Sequence, residues 1–193
     1  MPAAMNASIA LNDTIDADIS AITAIYADAV LNGTASFELD PPDAAEMARR
    51  FHAIRQAGYP HIVARDGSGE LLGYAYAGSY RARPAYRWTV ENSVYVAPSA
   101  KGRGVGRTLL AEIIARCEAL GFRQMIAVIG GSEHAASIGL HEALGFAHAG
   151  VLPATGFKHG RWLDSVLMQK PLGAGSSMPP DPDTYPGTLY PPA

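Results

Sequence analysis

Residues 94–107, Val-Tyr-Val-Ala-Pro-Ser-Ala-Lys-Gly-Arg-Gly-Val-Gly-Arg, carry a β-branched strand into an apolar helix through a turn with three glycines and three cations, Lys101, Arg103 and Arg107. Glycine lets backbone N–H groups turn inward with no Cβ in the way, and a helix N-terminus adds free donors and a positive dipole. The chemistry this favours is the holding of a diphosphate. A dinucleotide fingerprint, Gly-x-Gly-x-x-Gly, begun at Gly102 would need its last glycine at Arg107, and one begun at Gly104 would need it at Leu109. The Gly-Lys-Ser/Thr of a P-loop is absent as well.

Just before the cradle stands Glu91, between Val90 and the strand residues that begin at Val94. A carboxylate among apolar neighbours loses solvation, so its pKa rises and it becomes a better proton acceptor, directly or through one water. Alternation along the strand, taken alone, favours a solvent-facing glutamate instead.

The elements that hold these residues follow from periodicity. Residues 9–11 read as a first strand, and Ile15, Ile19, Ile22, Ile25 and Ala29 recur at helical spacing until Asn32-Gly33. Pro41-Pro42-Asp43 opens a second helix to about Gly58, and segments 61–65 and 70–77 flank the turn Asp66-Gly67-Ser68-Gly69 as a hairpin. Residues 88–96 form the strand that feeds the cradle, whose helix runs to Leu120-Gly121. Residues 125–129 form another strand, and 135–144 a short helix closed by Gly145. Strands near 147–152 and 163–169 complete an α/β (α+β) domain.

A chain of 193 residues, 48% hydrophobic and 17% charged with net charge −3, suits one domain, residues 1–170. Residues 171–193 differ in character: they hold half of the 14 prolines and no Lys or Arg, so they cannot form a helix or a central strand. No basic run and no apolar stretch near the ~20 residues of a membrane span occurs, so neither nucleic acid nor membrane is expected as a partner. The first ten residues lack the basic start and apolar core of a secretory signal. The one cysteine, Cys117, excludes an internal disulfide and suits a reducing, cytoplasmic compartment. It lies on the stripe Leu109, Leu110, Ile113, Ile114, Cys117, Leu120 and reads as core filling.

Eight further segments fall in one order: Thr34-Ala35-Ser36-Phe37-Glu38, Tyr74-Ala75-Tyr76-Ala77-Gly78, Arg81-Ala82-Arg83-Pro84-Ala85-Tyr86, Trp88-Thr89-Val90-Glu91, Ser93-Val94-Tyr95-Val96, Ala127-Val128-Ile129-Gly130, His141-Glu142-Ala143-Leu144-Gly145-Phe146 and Gly156-Phe157-Lys158-His159-Gly160. In the cradle, Lys101, Gly104 and Gly106 fill the pattern Gln/Arg-x-x-Gly-x-Gly/Ala, with lysine in the first place. The whole resembles the GCN5-related N-acetyltransferases (GNAT), and within them the phosphinothricin N-acetyltransferases and their methionine sulfoximine and methionine sulfone acetylating relatives, over residues 9–171.

The resemblance implies a GNAT fold, a mixed seven-stranded sheet flanked by about four helices, in a homodimer. It implies acetyl-CoA as co-substrate and direct transfer, in a ternary complex, to the α-amine of a small amino-acid analogue. Glu91 would be the base. His141 stands where many of the superfamily carry a tyrosine, and an imidazolium is a competent acid for the departing coenzyme A thiolate. Phe37, Arg81, Ala82, Arg83, Tyr86, Glu91, Asn92 and Ser93 would surround the amino acid, the guanidinium forks suiting its carboxylate and a second oxyanion. Val94, Tyr95, Val96, Lys101, Gly102, Arg103, Gly104, Val105, Gly106, Arg107 and His134 would hold coenzyme A, and the Val94 N–H would meet the developing oxyanion. His134 replaces a family asparagine, so one imidazole hydrogen bond stands where an amide pairs a donor with an acceptor. His52, His61, His148 and His159 show no metal-ligand spacing, and no metal is expected.

Three rivals share these features: acetylation of a peptide N-terminus, acetylation of another small amine such as a polyamine, and coenzyme A binding without turnover. Arg81, Arg83 and Arg87 argue against a polycationic substrate, and the presence of both Glu91 and His141 argues against a binding module.

Overall fold

Gly73 and Tyr74 are neighbours on one strand and so point to opposite faces of its sheet. A Cβ on Gly73 would lie 3.2 Å from Leu109 Cδ1, whereas the Tyr74 ring stacks on Tyr95, which meets Tyr26 edge-on at 5.0 Å. Helices therefore cover both faces. The computed structural model describes residues 9–181. Its strands are β1 (Ala10–Asp13), β2 (His61–Arg65), β3 (Leu71–Ser79), β4 (Thr89–Val96), β5 (Gln124–Gly130), β6 (Ala147–Lys158) and β7 (Arg161–Pro171). They form one seven-stranded sheet in the order β1-β2-β3-β4-β5-β7-β6. The helices are α1 (Ile19–Asn32), α2 (Ala44–Gln56), α3 (Val105–Ala119) and α4 (Ala135–Glu142). The mixed sheet and four helices are those expected.

Every neighbouring pair is antiparallel except β4 and β5. That parallel pair is short: Thr89, Val90 and Glu91 align with Gln124, Met125 and Ile126, and beyond Glu91 the strands part. On one face the core lies where α3 meets β2, β3 and β4, with Leu109, Leu110, Ile113 and Cys117 of α3 fully buried; on the other, α1 and α2 bury Ile22, Val30 and Phe51. Leu120, past the end of α3, is 38% exposed and leaves the stripe.

Three boundaries differ from the periodicity. Asp16–Asp18 form a 3-10 turn before α1, because the Asp18 carboxylate accepts from the Ile15 N–H at 3.0 Å and pairs with Arg65, turning the Ile15 side chain outward. The β6 strand runs through Pro153 to Lys158. An edge strand tolerates a proline, and register shifts between His148 and Gly150 and between Leu152 and Gly156 absorb the irregularity. His159 and Gly160, at φ 52° and 72°, then make the two-residue turn into β7. Finally, Pro171 closes β7 and Leu172 is fully buried, its N–H bonded to the Arg123 carbonyl at 3.0 Å, so packing extends past residue 170. The Arg123 guanidinium also donates to the Met178 and Pro179 carbonyls. Residues 182–193 of the proline-rich segment lie outside the described residues. Among the described residues no helix is long and apolar enough to cross a membrane.

Candidate active site

The parting of β4 and β5 opens a cavity of about 710 Å³, walled by residues 91–96 on one strand and 127–130 on the other. The cradle closes one end of it. Gly102 and Gly104 sit at φ 76° and 81°, conformations that favour glycine, and Gly104 serves as the N-cap of α3. A Cβ on either would meet nothing within 4 Å, so the backbone faces open space. The first bond of α3 runs from the Thr108 N–H to the Gly104 carbonyl, which leaves the N–H groups of Val105, Gly106 and Arg107 without a partner inside the helix. Lys101 and Arg107 stand in the same wall. Left-handed glycines, helix-end donors and two cations around an open cleft fit a pyrophosphate.

Glu91 lines the cavity at the last β4 position paired with β5, and burial holds its carboxyl above the usual glutamate range. Asn92 crosses the gap: its amide nitrogen donates to the Ile126 carbonyl at 3.1 Å, and its oxygen lies 3.1 Å from His141 Nε2. His141, on α4, is 4% exposed, with Nδ1 2.8 Å from the Ser137 carbonyl. Burial pulls its imidazolium below the usual range, and the Ser137 carbonyl opposes this. His134 also lines the cavity, and its Nδ1 is buried without a protein partner.

Phe37 enters from the loop after α1. Thr34 Oγ1 donates to the Gly130 carbonyl at 2.8 Å, and the buried Lys158 ammonium donates to the Ser36 carbonyl at 2.7 Å. On the other side the Tyr26 hydroxyl lies 2.9 Å from Ser36 Oγ and donates to Glu38, which Arg50 holds at 2.6 Å. These ties set the Phe37 ring in the cavity wall, beside Gly130 and Gly156.

Of the residues expected at the site, Phe37, Glu91, Asn92, Ser93, Val94, Tyr95, Val96, Lys101, Gly102, Gly104, Val105, Gly106, Arg107, His134 and His141 line this one cavity. Arg81, Ala82, Arg83, Tyr86 and Arg103 do not. The Arg81 guanidinium lies 5.1 Å from the Tyr80 ring centre and 5.6 Å from that of Tyr86, in a loop that leaves the sheet beside Glu91, which pairs with Gly78. Several wall residues escaped the sequence reading. Tyr76, opposite Ser93 on β3, is one, its phenol pKa raised chiefly by burial. Val128, 40% exposed on an otherwise buried strand, is another. An apolar strand gives no sign of which of its residues will lose a neighbour. Among the described residues no group of three or more His, Cys, Asp or Glu could hold a metal ion.

Comparison with known proteins agrees with this geometry. Residues 14–167 match the family described as "Acetyltransferase (GNAT) domain". A phosphinothricin N-acetyltransferase from Alcaligenes faecalis is 58% identical over 166 residues, 86% of this chain and 84% of that protein. An L-methionine sulfoximine/L-methionine sulfone acetyltransferase from Pseudomonas aeruginosa is 45% identical over 172 residues, 89% of this chain and 99% of that protein. Among solved structures, a GNAT superfamily phosphinothricin acetyltransferase from Sinorhizobium meliloti in complex with AcCoA superposes with a TM-score of 0.90 at 54% identity, covering 96% of this chain and 98% of its own. The parted strands, the glycine cradle and these similarities together place the chain in the GNAT acetyltransferase family.

Proposed function

We propose that this protein transfers an acetyl group from acetyl-CoA to the α-amine of a small amino-acid analogue such as phosphinothricin, methionine sulfoximine or methionine sulfone, directly and within a ternary complex. The observation that carries the reading is the gap between β4 and β5, which collects Glu91, His141 and the cradle in one cavity. Acetyl-CoA supplies an activated acyl carbon. The cradle N–H groups with Lys101 and Arg107 hold its diphosphate, and the Val94 N–H meets the thioester oxygen as negative charge develops. Glu91 takes a proton from the substrate ammonium so that the nitrogen lone pair can attack. The C–N bond forms, the C–S bond breaks, and His141 protonates the departing sulfur. Two protons leave the nitrogen, one reaches the sulfur by way of His141, and one passes to water.

The loop that bears Arg81, Ala82, Arg83 and Tyr86 leaves the sheet at the Glu91 end, and we assign to it the recognition of the substrate carboxylate. The protein is further proposed to be a cytoplasmic homodimer. An edge strand with exposed apolar residues favours a second copy, and β6 offers Val151, Leu152 and Phe157, with Trp162 beside them on β7. Sedimentation velocity gives the oligomeric state. The test of the activity is thiol release from acetyl-CoA with a panel of amino-acid analogues, a polyamine and a peptide N-terminus. Release with the amino-acid analogues alone is expected. Release only with the peptide or polyamine would replace the reading, and binding of acetyl-CoA with no release would reduce the protein to a binding module.

A further inference from the structure

Asn92 is the first β4 residue beyond the last β4–β5 pair, and its side chain is buried. Its amide nitrogen donates to the Ile126 carbonyl, so a side chain continues across the gap where main-chain pairing stops. That bond decides which end of the amide points where. It leaves Oδ1 facing His141 Nε2 at 3.1 Å. The other ring nitrogen, Nδ1, faces the Ser137 carbonyl at 2.8 Å. A carbonyl oxygen only accepts, so Ser137 requires a proton on Nδ1 and Asn92 requires one on Nε2. A neutral imidazole carries one N–H, and an imidazolium carries two. Turning the amide over does not remove the conflict, because Oδ1 would then face the Ile126 carbonyl.

We propose that Asn92 is a positioning residue: anchored to Ile126, it presents an acceptor to Nε2 and favours the doubly protonated form of His141. This is a different role from the substrate contact that the family resemblance implies for it. Burial works against the charge and pulls the pKa down, the Ser137 carbonyl opposes it, and Asn92 Oδ1 at Nε2 adds a second acceptor on the same side. The charged and titratable groups sharing the cavity are Glu91 from β4, Lys101 and Arg107 from the cradle and α3, and His134 from the start of α4. Glu142, next to His141 on α4, is engaged with His148 at 3.0 Å. The Phe146 ring stands edge-on to the imidazole at 4.9 Å between centres. When His141 gives up the Nε2 proton and keeps that on Nδ1, two lone pairs face each other across the Asn92 contact, so only the charged ring makes the Ser137 and Asn92 contacts together. The link to protonation of a leaving thiolate rests on the acetyl-transfer reading; the proton inventory of the ring does not.

The test is an NMR pH titration of the ligand-free protein with 15N-labelled histidine, the His141 signals being identified by their loss in His141→Gln. Expected are a neutral His141 that keeps its proton on Nδ1, and a pKa that falls by about one unit or more in Asn92→Leu, the size of one hydrogen bond to a charged group. Asn92→Asp should raise it. In the transfer assay the alkaline limb of kcat should move down in Asn92→Leu with the amino-acid KM unchanged, whereas loss of a substrate contact would raise KM. A wild-type His141 whose neutral form carries its proton on Nε2 would overturn the proposal. So would a folded Asn92→Leu with the pKa within about 0.3 unit of wild type. If the leucine variant does not fold, the wild-type tautomer and the Asn92→Asp titration decide. The NMR shift without turnover of any substrate would leave the role of Asn92 standing and remove the acetyl-transfer reading.

Discussion

The Phe37 ring occupies the space that a side chain at Gly156 would need: an ideal Cβ on Gly156 stands 2.5 Å from Phe37 Cε2. Gly156 lies opposite Leu163 in the β6–β7 pair and is not among the glycines at positive φ, so its backbone suits any residue. The absent side chain serves Phe37. Gly156→Ala should therefore leave folding nearly intact, push the ring into the cavity and raise the amino-acid KM roughly 10-fold, equivalent to about 1.4 kcal/mol. The acetyl-CoA KM should not move. Initial rates with each substrate varied in turn check this, and an unchanged amino-acid KM would take Phe37 out of the substrate wall.

Removing the carboxylate at the head of the gap addresses the base. Glu91→Gln keeps shape and hydrogen-bonding capacity but cannot accept the proton, so kcat should fall about 10²-fold or more while acetyl-CoA affinity holds. Burial raises the Glu91 pKa above the ordinary 4.5, and a general base acts only when ionised. The acidic limb of kcat/KM in the wild type should accordingly lie above that value and disappear in the variant. Wild-type rates for Glu91→Gln across pH 6–9 would exclude Glu91 as the base.

The cradle can be tested without touching a charge. Gly104 sits at φ 81°, and a Cβ there meets no protein atom, so the penalty for Gly104→Val has two parts: backbone strain and a branched side chain in the open space of the cradle. Acetyl-CoA affinity measured by calorimetry should fall by at least about 10-fold. A folded variant with wild-type affinity would separate the loop from diphosphate binding.

A fourth prediction concerns stability. His61 is 3% exposed, stacks on Tyr76 at 5.3 Å, and shares a 2.7 Å hydrogen bond with Thr14. Burial, with a smaller contribution from the Arg55 charge, brings its pKa down to about 4 from 6.5. The unfolded chain therefore takes up the proton first as pH falls from 6.5, so its share of stability is complete above 6.5 and is lost as pH drops through 4. By pH 4 the loss should be roughly 3 kcal/mol. Urea unfolding of wild type and His61→Phe at pH 7 and pH 4 checks it, the variant showing the smaller fall. Equal falls would mean that His61 is not the group that titrates.

The sequence by itself determined those features that depend on backbone conformation over a few residues. Glycines at 102 and 104 mark a left-handed turn because side chains avoid that conformation, and Asp43 starts α2 because its carboxylate reaches the Glu46 N–H, at 2.8 Å. The stripe from Leu109 to Cys117 identified the buried face of α3 by spacing alone. Tertiary structure decided the rest. Nothing in residues 89–96 or 124–130 records that pairing ends at Glu91 and Ile126, because strand pairing is settled by register between segments distant in the chain. The same holds for the extension of β6 through Pro153, which is tolerated only because the strand lies at an edge. Asn92 reads as one polar strand residue until β5 and α4 bring Ile126 and His141 to its two ends. Local preference places a turn or a helix, but a buried amide finds its donor and its acceptor only when distant segments close around it, since burial is what makes each unpaired group costly.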